Sequence, residues 1–382
     1  MTNSFSDFLP RLEAARKHLH AHPEVSEFEF ETAEFIKNYL EQNTTCDNII
    51  PVAKTGVLAV FEGSEPGETT LLRADTDALP IQEINEFAHK STNPGVSHKC
   101  GHDGHTVMML GVAHALSAHP PAKGRVLLLF QPAEENGMGA PGVIADPEFQ
   151  KFGIDRVFAL HNLPGHPKGE ILTRNGVFNA NVTSMIITLQ GKTSHAAEPE
   201  HGINPAAAIA EITLAIDKLN NNYPEQDDFF NIVPVYATLG EKAYGISAGY
   251  GELHLTYRAW NGTLVNQQWN SIEALAGEIS EKHGLKLAIT RTQDFNESRN
   301  DASCVDIVRQ AAQNGSLGQS ELPAPMKWGE DFGLFTQTWP GAMFGLGSGV
   351  DTPALHNPDY DFPDDITENG IRIFEQVVRL LN

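Results

Sequence analysis

The chain has 382 residues, enough for one large or two medium-sized domains. Its hydrophobic content of 41% and charged content of 20% are ordinary for a folded globular protein. The 26 basic and 49 acidic side chains give a formal net charge of −23. This charge disfavours binding to nucleic acid or to an anionic membrane, because phosphate groups would be repelled.

The sequence also bears on the compartment. The longest aliphatic run covers residues 126–130, far too short a stretch to span a bilayer. The N-terminal stretch has neither an apolar core nor a small-residue cleavage site, so we expect no signal peptide. The three scattered cysteines, Cys46, Cys100 and Cys304, do not suggest a disulfide framework. We therefore expect a cytoplasmic protein in a reducing environment.

The first part of the chain alternates between patterns typical of helices and of strands. Apolar residues at helical spacing predict helices at 5–20, 32–40 and 106–116. Apolar, β-prone runs predict strands at 57–61, 69–73, 124–130 and 156–160. The turn residues 63–67 predict a hairpin between the first two of these strands. This alternation predicts an α/β fold with a sheet buried on both faces, where sites gather at strand ends.

A different pattern begins near residue 180. The order β-α-β-β-α-β over about 110 residues is typical of a self-sufficient two-layer unit. Its predicted elements are the strands 183–189, 232–239, 252–259 and 285–290 and the helices 204–219 and 264–282. A helix at 302–313, a strand at 341–347 and a helix at 365–381 follow it. We predict one domain from residues 1–178 and 293–382, with a smaller domain, 179–292, inserted into it.

Candidate metal ligands occur just before the predicted helix at 106–116. Residues 97–105 read Ser-His-Lys-Cys-Gly-His-Asp-Gly-His. A thiolate and imidazoles are ligands that zinc-like metals prefer. Because Cys100 and His102 are two residues apart, both can reach one centre from a turn but not from one helix face. A Cys-x-His pair by itself is weak support, and a structural role is the alternative.

Further candidate ligands follow predicted strands. Glu134 and Glu135 come after the strand at 124–130, His161 follows 156–160, and His356 lies near the C-terminus. Two adjacent carboxylates repel each other unless a cation or a shared proton compensates, so one could bind metal while the other acts as a base. A solvated acidic loop and structural histidines are the alternatives. The agreement of four segments favours a metal site.

Two aspartates add to this set. Asp75 follows the strand at 69–73 and either orients a metal-bound imidazole or is a turn aspartate. Asp103 either caps the following helix or holds a ligand in place.

A series of ordered motifs, spread nearly end to end, allows a comparison with known families. The motifs are HAHPE (20–24), RADTDALP (73–80), CGHDGHT (100–106), FQPAEE (130–135), ALHN (159–162), TSHAAEP (193–199), GEDFG (329–333) and LHNPDYDF (355–362). With them the chain resembles the aminoacylase family of di-metal hydrolases. That family includes bacterial N-acyl-amino-acid amidohydrolases, hippurate hydrolases and plant IAA-amino acid hydrolases, with carboxypeptidase G as a distant relative.

The resemblance implies a site with two divalent metal ions. Cys100 would bridge the ions as a thiolate, with Glu135 and His356 completing one centre and His102 and His161 the other. Glu134 would act first as the general base and then as the acid. The ligands favour zinc, but manganese, cobalt and nickel also occur in relatives. The fold implied is a three-layer catalytic domain with a mixed, largely parallel sheet, plus an inserted two-layer α+β lid.

The inserted domain carries two further implied site residues. His195 would donate to the negative oxygen that develops on the substrate, often from the partner subunit of a homodimer formed through the lid. Arg258 would pair with a substrate carboxylate, a surface arginine being the alternative. Two positions depart from the family pattern: Thr76 replaces a methionine, and Gly245 stands where a lid asparagine is expected. A glycine offers no side-chain donor, so substrate contacts in the lid would differ.

The predicted function is therefore a metal-dependent amidohydrolase. It would cleave N-acyl amino acids, with acetyl or aromatic acyl groups, into a carboxylic acid and a free amino acid. A dipeptidase or carboxypeptidase using the same site remains open. A thiol hydrolase with Cys100 as nucleophile would leave the carboxylate pair and the distant histidines unexplained. A non-catalytic relative is disfavoured because Glu134 is present.

Overall fold

The computed structural model describes residues 5–382, so the first four residues of the stretch considered for a signal peptide lie outside the described part. The chain forms two compact units. The larger unit runs up to Phe178 and resumes at Ser298–Pro323 and Glu330–Asn382. The smaller unit comprises Asn179–Glu297 and Ala324–Gly329. The assignment of catalytic and lid roles to these parts stays a prediction.

The described residues form helices and strands in alternation. The α-helices are α1 (Leu9–Ala21), α2 (Phe30–Asn43), α3 (His102–Ala118), α4 (Gly139–Ala145), α5 (Ala206–Asp217), α6 (Gly262–Lys282), α7 (Ala302–Asn314), α8 (Gly333–Thr338) and α9 (Thr367–Leu381). The strands are β1 (Asn48–Val52), β2 (Gly56–Glu62), β3 (Glu65–Asp75), β4 (Lys123–Gln131), β5 (Arg156–Pro164), β6 (Ile171–Thr173), β7 (Gly176–Val177), β8 (Asn181–Gln190), β9 (Ser194–His195), β10 (Phe230–Leu239), β11 (Ile246–Ser247), β12 (Tyr250–Ala259), β13 (Lys286–Phe295), β14 (Arg299–Asn300), β15 (Gln319–Glu321) and β16 (Gly341–Gly349).

The larger unit contains an eight-stranded mixed sheet in the order β1-β2-β4-β3-β5-β16-β6-β15. Its central strands β4, β3, β5 and β16 are parallel, whereas β1, β2 and β4 pair antiparallel. Helices α1, α3, α7 and α9 form one layer, and α4 and α8 contact β4 and β16 from their own layer. Residues 126–130 of β4 are fully buried, as expected for a strand covered on both faces. The predicted three-layer α/β fold is confirmed.

The predicted hairpin between β2 and β3 is wrong. Strand β4 lies between them, pairing antiparallel with β2 and parallel with β3. The connecting turn passes over the start of β4, where the Gly63 amide donates to the Gly124 carbonyl at 2.7 Å. A Cβ on Gly63 would lie 2.4 Å from the Lys123 backbone, so glycine allows this crossing. The turn residues were identified, but the strand inserted beside them comes from a distant part of the chain.

The smaller unit contains a four-stranded antiparallel sheet in the order β10-β12-β8-β13. Helices α5 and α6 cover it, and buried side chains such as Ile187, Leu255 and Ile272 form its core. The predicted two-layer α+β unit is confirmed. Strand β10 forms one edge of this sheet. Across residues 5–382, no helix combines the length and the apolar character that a membrane span requires.

Candidate functional site

All five predicted metal ligands lie in the larger unit, on segments that leave or enter its sheet. Cys100 precedes α3 in a turn, and His102 is the first residue of the helix. The intervening Gly101 has φ +90°, and a Cβ there would lie 2.7 Å from the Asn162 side-chain oxygen. Glycine is therefore required for the tight turn that places a thiol and an imidazole side by side.

The five side chains form two groups that share one atom. The ligand atoms of Cys100, His102 and His161 all lie within 4.8 Å of one another, and so do those of Cys100, Glu135 and His356. Cys100 Sγ lies 3.5 Å from His161 Nε2, and Glu135 Oε2 lies 3.7 Å from His356 Nε2. The common thiol makes this an arrangement suited to two adjacent cations.

The donor atoms fit metal ions better than they fit one another. His102 Nε2 and Glu135 Oε1 are buried without a hydrogen-bond partner, and they face each other at 3.8 Å. Orphaned buried polar atoms are costly, so their presence among the proposed ligands points to missing partners, and cations would fill that role.

The hydrogen bonds of two histidines set their tautomers for metal binding. His102 Nδ1 lies 2.9 Å from the Asp77 carbonyl oxygen and 3.3 Å from its carboxylate. His161 Nδ1 lies 2.9 Å from the Asn162 carbonyl oxygen. A proton on each Nδ1 donates to these acceptors, which leaves the Nε2 lone pair available for a metal. Burial lowers the pKa of His161 well below its usual value, which favours the neutral ligand form.

Asp77 contacts the Nδ1 of His102, whereas Asp75, which we predicted to orient a metal-bound imidazole, contacts His105. Asp75 Oδ1 instead lies 2.5 Å from His105 Nδ1, and it is 3.7 Å from His102 Nε2. The other oxygen of Asp75 accepts from Arg73 at 2.6 Å. Asp77 is two residues further along the RADTDALP motif, and the sequence alone does not say which aspartate turns towards the helix.

Glu134, the predicted base, is buried among carboxylates. Its carboxylate lies within 4.8 Å of those of Glu330 and Asp331, and its Oε1 accepts from the Asp331 amide at 3.4 Å. Burial, followed by repulsion from Glu330 and Glu135, raises the pKa of Glu134 well above its usual value. Burial also raises the pKa of Glu135 to about 8. These directions describe a site with an excess of negative charge, which a bound cation would relieve.

Arg73 supplies buried positive charge beside this cluster. Its guanidinium donates to Gln131, Asp75, Glu330 and Asp331 at 2.6–2.9 Å. A planar guanidinium can make several such bonds at once, so it ties β3 and β4 to the 330–331 turn. Sequence reasoning did not assign roles to the following site residues: Arg73, Asp77, His105, Asn162, Glu330 and Asp331. All six lie within the RADTDALP, CGHDGHT, ALHN and GEDFG motifs. Membership of these motifs was the feature of the sequence that could have identified them as site residues.

The remaining predicted residues, His195 and Arg258, lie in the smaller unit. His195 is exposed on β9, opposite Ile246 of β11. Its Nδ1 accepts a hydrogen bond from the Ala197 amide at 3.1 Å, which places the ring proton on Nε2. The Gly245 carbonyl accepts from the Ala196 amide at 2.9 Å, and a Cβ on Gly245 would meet nothing within 4 Å. Packing therefore does not require glycine there. Arg258 is half-buried on β12, and burial lowers its pKa.

Comparison with known proteins shows similarity over nearly the whole chain. Residues 71–380 match Peptidase family M20/M25/M40. An N-acetyl-L-cysteine deacetylase of Bacillus subtilis (strain 168) is 33% identical over 372 residues, 96% of this chain and 87% of the relative. An IAA-amino acid hydrolase of Arabidopsis thaliana is 32% identical over 367 residues, 94% of this chain and 82% of the relative. The crystal structure of a dinuclear metal-binding M20 peptidase of Bacillus subtilis matches with a TM-score of 0.82 at 28% identity, covering 98% of this chain and 99% of that one.

The shared thiol predicts a distinctive effect of one substitution. We expect Cys100→Ser to lower the affinity for both metal ions together, because a serine hydroxyl ionises far less readily than a thiol and both groups use this atom. Elemental analysis of the gel-filtered protein measures the metal content. Cys46→Ser, at a half-buried cysteine outside both groups, is the matched control and should keep its metal. Equal metal content in the Cys100 variant and the wild type would contradict the shared-ligand arrangement.

Proposed function

Because the chain belongs to peptidase family M20/M25/M40, we propose that it is a metal-dependent amidohydrolase acting on N-acyl amino acids. The reaction adds water across the amide bond and releases a carboxylic acid and a free amino acid. The names of the deacetylase and IAA-amino acid hydrolase relatives support this substrate class. The observation that carries the proposal is the Cys100 thiol shared by two ligand groups, with Glu134 within 4.8 Å of a ligand from each, His102 and Glu135.

We propose that two divalent ions, zinc or manganese, occupy these groups. Cys100, His102 and His161 would hold one ion, and Cys100, Glu135 and His356 the other. When bound, the ions would lower the pKa of the attacking water and polarise the substrate carbonyl. The thiolate and imidazole ligands favour zinc, the carboxylate ligand also suits manganese, and cobalt or nickel are further candidates.

Glu134 is the proposed proton carrier. Its carboxylate takes a proton from the attacking water and passes it to the amide nitrogen, so that the C–N bond breaks to give a neutral amine. The Asp331 amide holds one carboxylate oxygen of Glu134 in place for these two transfers. Glu135, the next residue along the chain, is left to bind metal.

The smaller unit contributes the proposed oxyanion donor and substrate anchor. His195 would donate from Nε2 to the oxygen that becomes negative as water adds. The bond from the Ala197 amide to His195 Nδ1 supports this role, because it leaves the proton on Nε2. Arg258 would pair with the carboxylate of the substrate amino acid. Gly245 adds no side-chain hydrogen-bond donor. We therefore propose that substrate affinity depends more on Arg258.

We also propose a homodimer that forms through the smaller unit. Strand β10 is an edge strand, and its side chains Val233, Val235 and Tyr236 are exposed by 43%, 59% and 53%. An exposed, apolar edge strand is a ready template for pairing with a second copy. The compartment we propose is the cytoplasm, because the cysteines are free and a thiolate ligand must stay reduced.

The role of Glu134 can be tested by a nearly isosteric change. Glu134→Gln should keep its metal content and lose about 100- to 10,000-fold in kcat, because an amide cannot carry the proton. The measurement is amino acid release from N-acetyl, N-benzoyl and dipeptide substrates with zinc or manganese added. Glu34→Gln, at an exposed position of α2, is the control. Near-normal turnover by Glu134→Gln would remove Glu134 as the base, and cleavage of dipeptides alone would favour the dipeptidase alternative.

Sharing of His195 across the dimer predicts complementation. Glu134→Gln and His195→Ala chains, each inactive, should regain about a quarter of wild-type kcat when unfolded together and refolded as a mixture. Half of the random dimers would be mixed, and each would contain one complete site. A double variant carrying both changes, mixed with Glu134→Gln, should recover nothing. No recovery in the first mixture, with mixed dimers verified by tagged chains, would contradict a site completed in trans.

A further inference from the structure

A continuous chain of buried polar groups runs through the larger unit on the far side of the ligand residues. Asp103 Oδ2 lies 2.8 Å from His20 Nδ1, and His20 Nε2 lies 3.0 Å from Glu83 Oε1. The same Glu83 oxygen accepts from Lys99 Nζ at 2.5 Å. Asp103 follows the proposed ligand His102, and Lys99 precedes Cys100. The chain therefore begins and ends next to proposed metal ligands.

Lys99 extends this chain to the third ligand segment. Its backbone carbonyl accepts from the His356 amide at 2.7 Å, and its Nζ donates to the Tyr360 carbonyl at 2.7 Å. One residue thus holds the loop that carries His356 at two points, four residues apart. Lys99 is 0% exposed, and its partner Glu83 is 3% exposed.

The His356 loop needs such support. His356 has φ +66°, in the left-handed region that residues other than glycine seldom adopt. A conformation of this kind persists when its surroundings over-determine it. The His356 side chain is 53% exposed, so packing around the ring contributes little to its position. The Lys99 carbonyl restrains the His356 amide itself. After His356, Lys99 holds the Tyr360 carbonyl, while Ile84 and Asn85 donate to the Pro358 and Asp359 carbonyls.

A buried ion pair is a poor way to gain stability alone. Two apolar side chains of similar size would often serve as well, because removing two charges from water is costly. Lys99 lies between a shared thiol ligand and a histidine ligand with a strained backbone. This position gives the Lys99–Glu83 ion pair a role other than stability. Hydrogen-bond partners behind metal ligands set ligand orientation and thereby metal affinity.

We propose that Lys99 is a positioning residue that selectively builds the metal centre formed by Cys100, Glu135 and His356. Its ammonium, fixed by Glu83, holds the Tyr360 carbonyl, and its own carbonyl holds the His356 amide, so the imidazole is set in place before metal binds. The centre of Cys100, His102 and His161 takes no ligand from this loop. This inference rests on the proposed two-metal site and makes only one of its two metal centres dependent on Lys99.

The experiment is a titration of metal-free, full-length protein with Zn²⁺ by calorimetry, in the presence of a competing chelator. Lys99→Met leaves a buried glutamate unpaired, so Lys99→Met with Glu83→Gln is the second variant, which removes both charges. His356→Ala identifies which binding step belongs to its centre. Lys90→Met removes a partly exposed lysine paired with Glu86 at 2.9 Å and is the matched control. Circular dichroism checks that each variant is folded.

We expect wild-type protein and Lys90→Met to bind two ions. In both Lys99 variants, the Zn²⁺ affinity of the binding step that His356→Ala abolishes should fall by about 10- to 100-fold. The Zn²⁺ affinity of the other binding step should change little. Two unchanged steps in the folded double variant, or two equally weakened steps, would overturn the positioning role of Lys99. Wild-type protein that binds fewer than two ions would overturn the proposed two-metal site itself, and the inference with it.

Discussion

Buried negative charge is the constraint on which the larger unit depends. Glu134, Asp75, Asp77, Glu330 and Asp331 are each at most 6% exposed, and Glu135 lies beside them. Arg73 compensates part of this charge through its bonds to three of the carboxylates. The rest must be met by protons or by cations, because isolated carboxylates do not stay ionised in an apolar interior. Two cations held by a thiol and three imidazoles, as proposed, would relieve this charge and supply the proposed chemistry.

The fold places these buried carboxylates at one edge of the sheet. Parallel strands β3, β4 and β5 end side by side, so the segments that follow them converge although they are far apart in sequence. The buried residues 126–131 of β4 and 102–113 of α3 make this platform rigid. Rigidity matters because the catalytic distances must hold without the ions reshaping the protein.

The sequence contained much of this arrangement. Hydrophobic periodicity predicted the main helices and strands, and the ordered motifs predicted which residues converge. What it missed depends on tertiary contacts between distant segments. The hairpin between β2 and β3 failed because β4 inserts between them, and turn residues such as Gly63 are compatible with either outcome. Asp75 and Asp77 are alike in sequence, and the direction each side chain takes depends on where His105 and His102 lie. The roles of His195 and Arg258 stay predictions.

The most direct measurement is anomalous X-ray diffraction at the zinc or manganese edge from crystals of the metal-loaded protein. The account predicts two strong peaks per chain, one among Cys100 Sγ, His102 Nε2 and His161 Nε2, and the other among Cys100 Sγ, Glu135 and His356. A single peak, or peaks that Cys100 does not bridge, would contradict the two-metal site and with it the proposed mechanism.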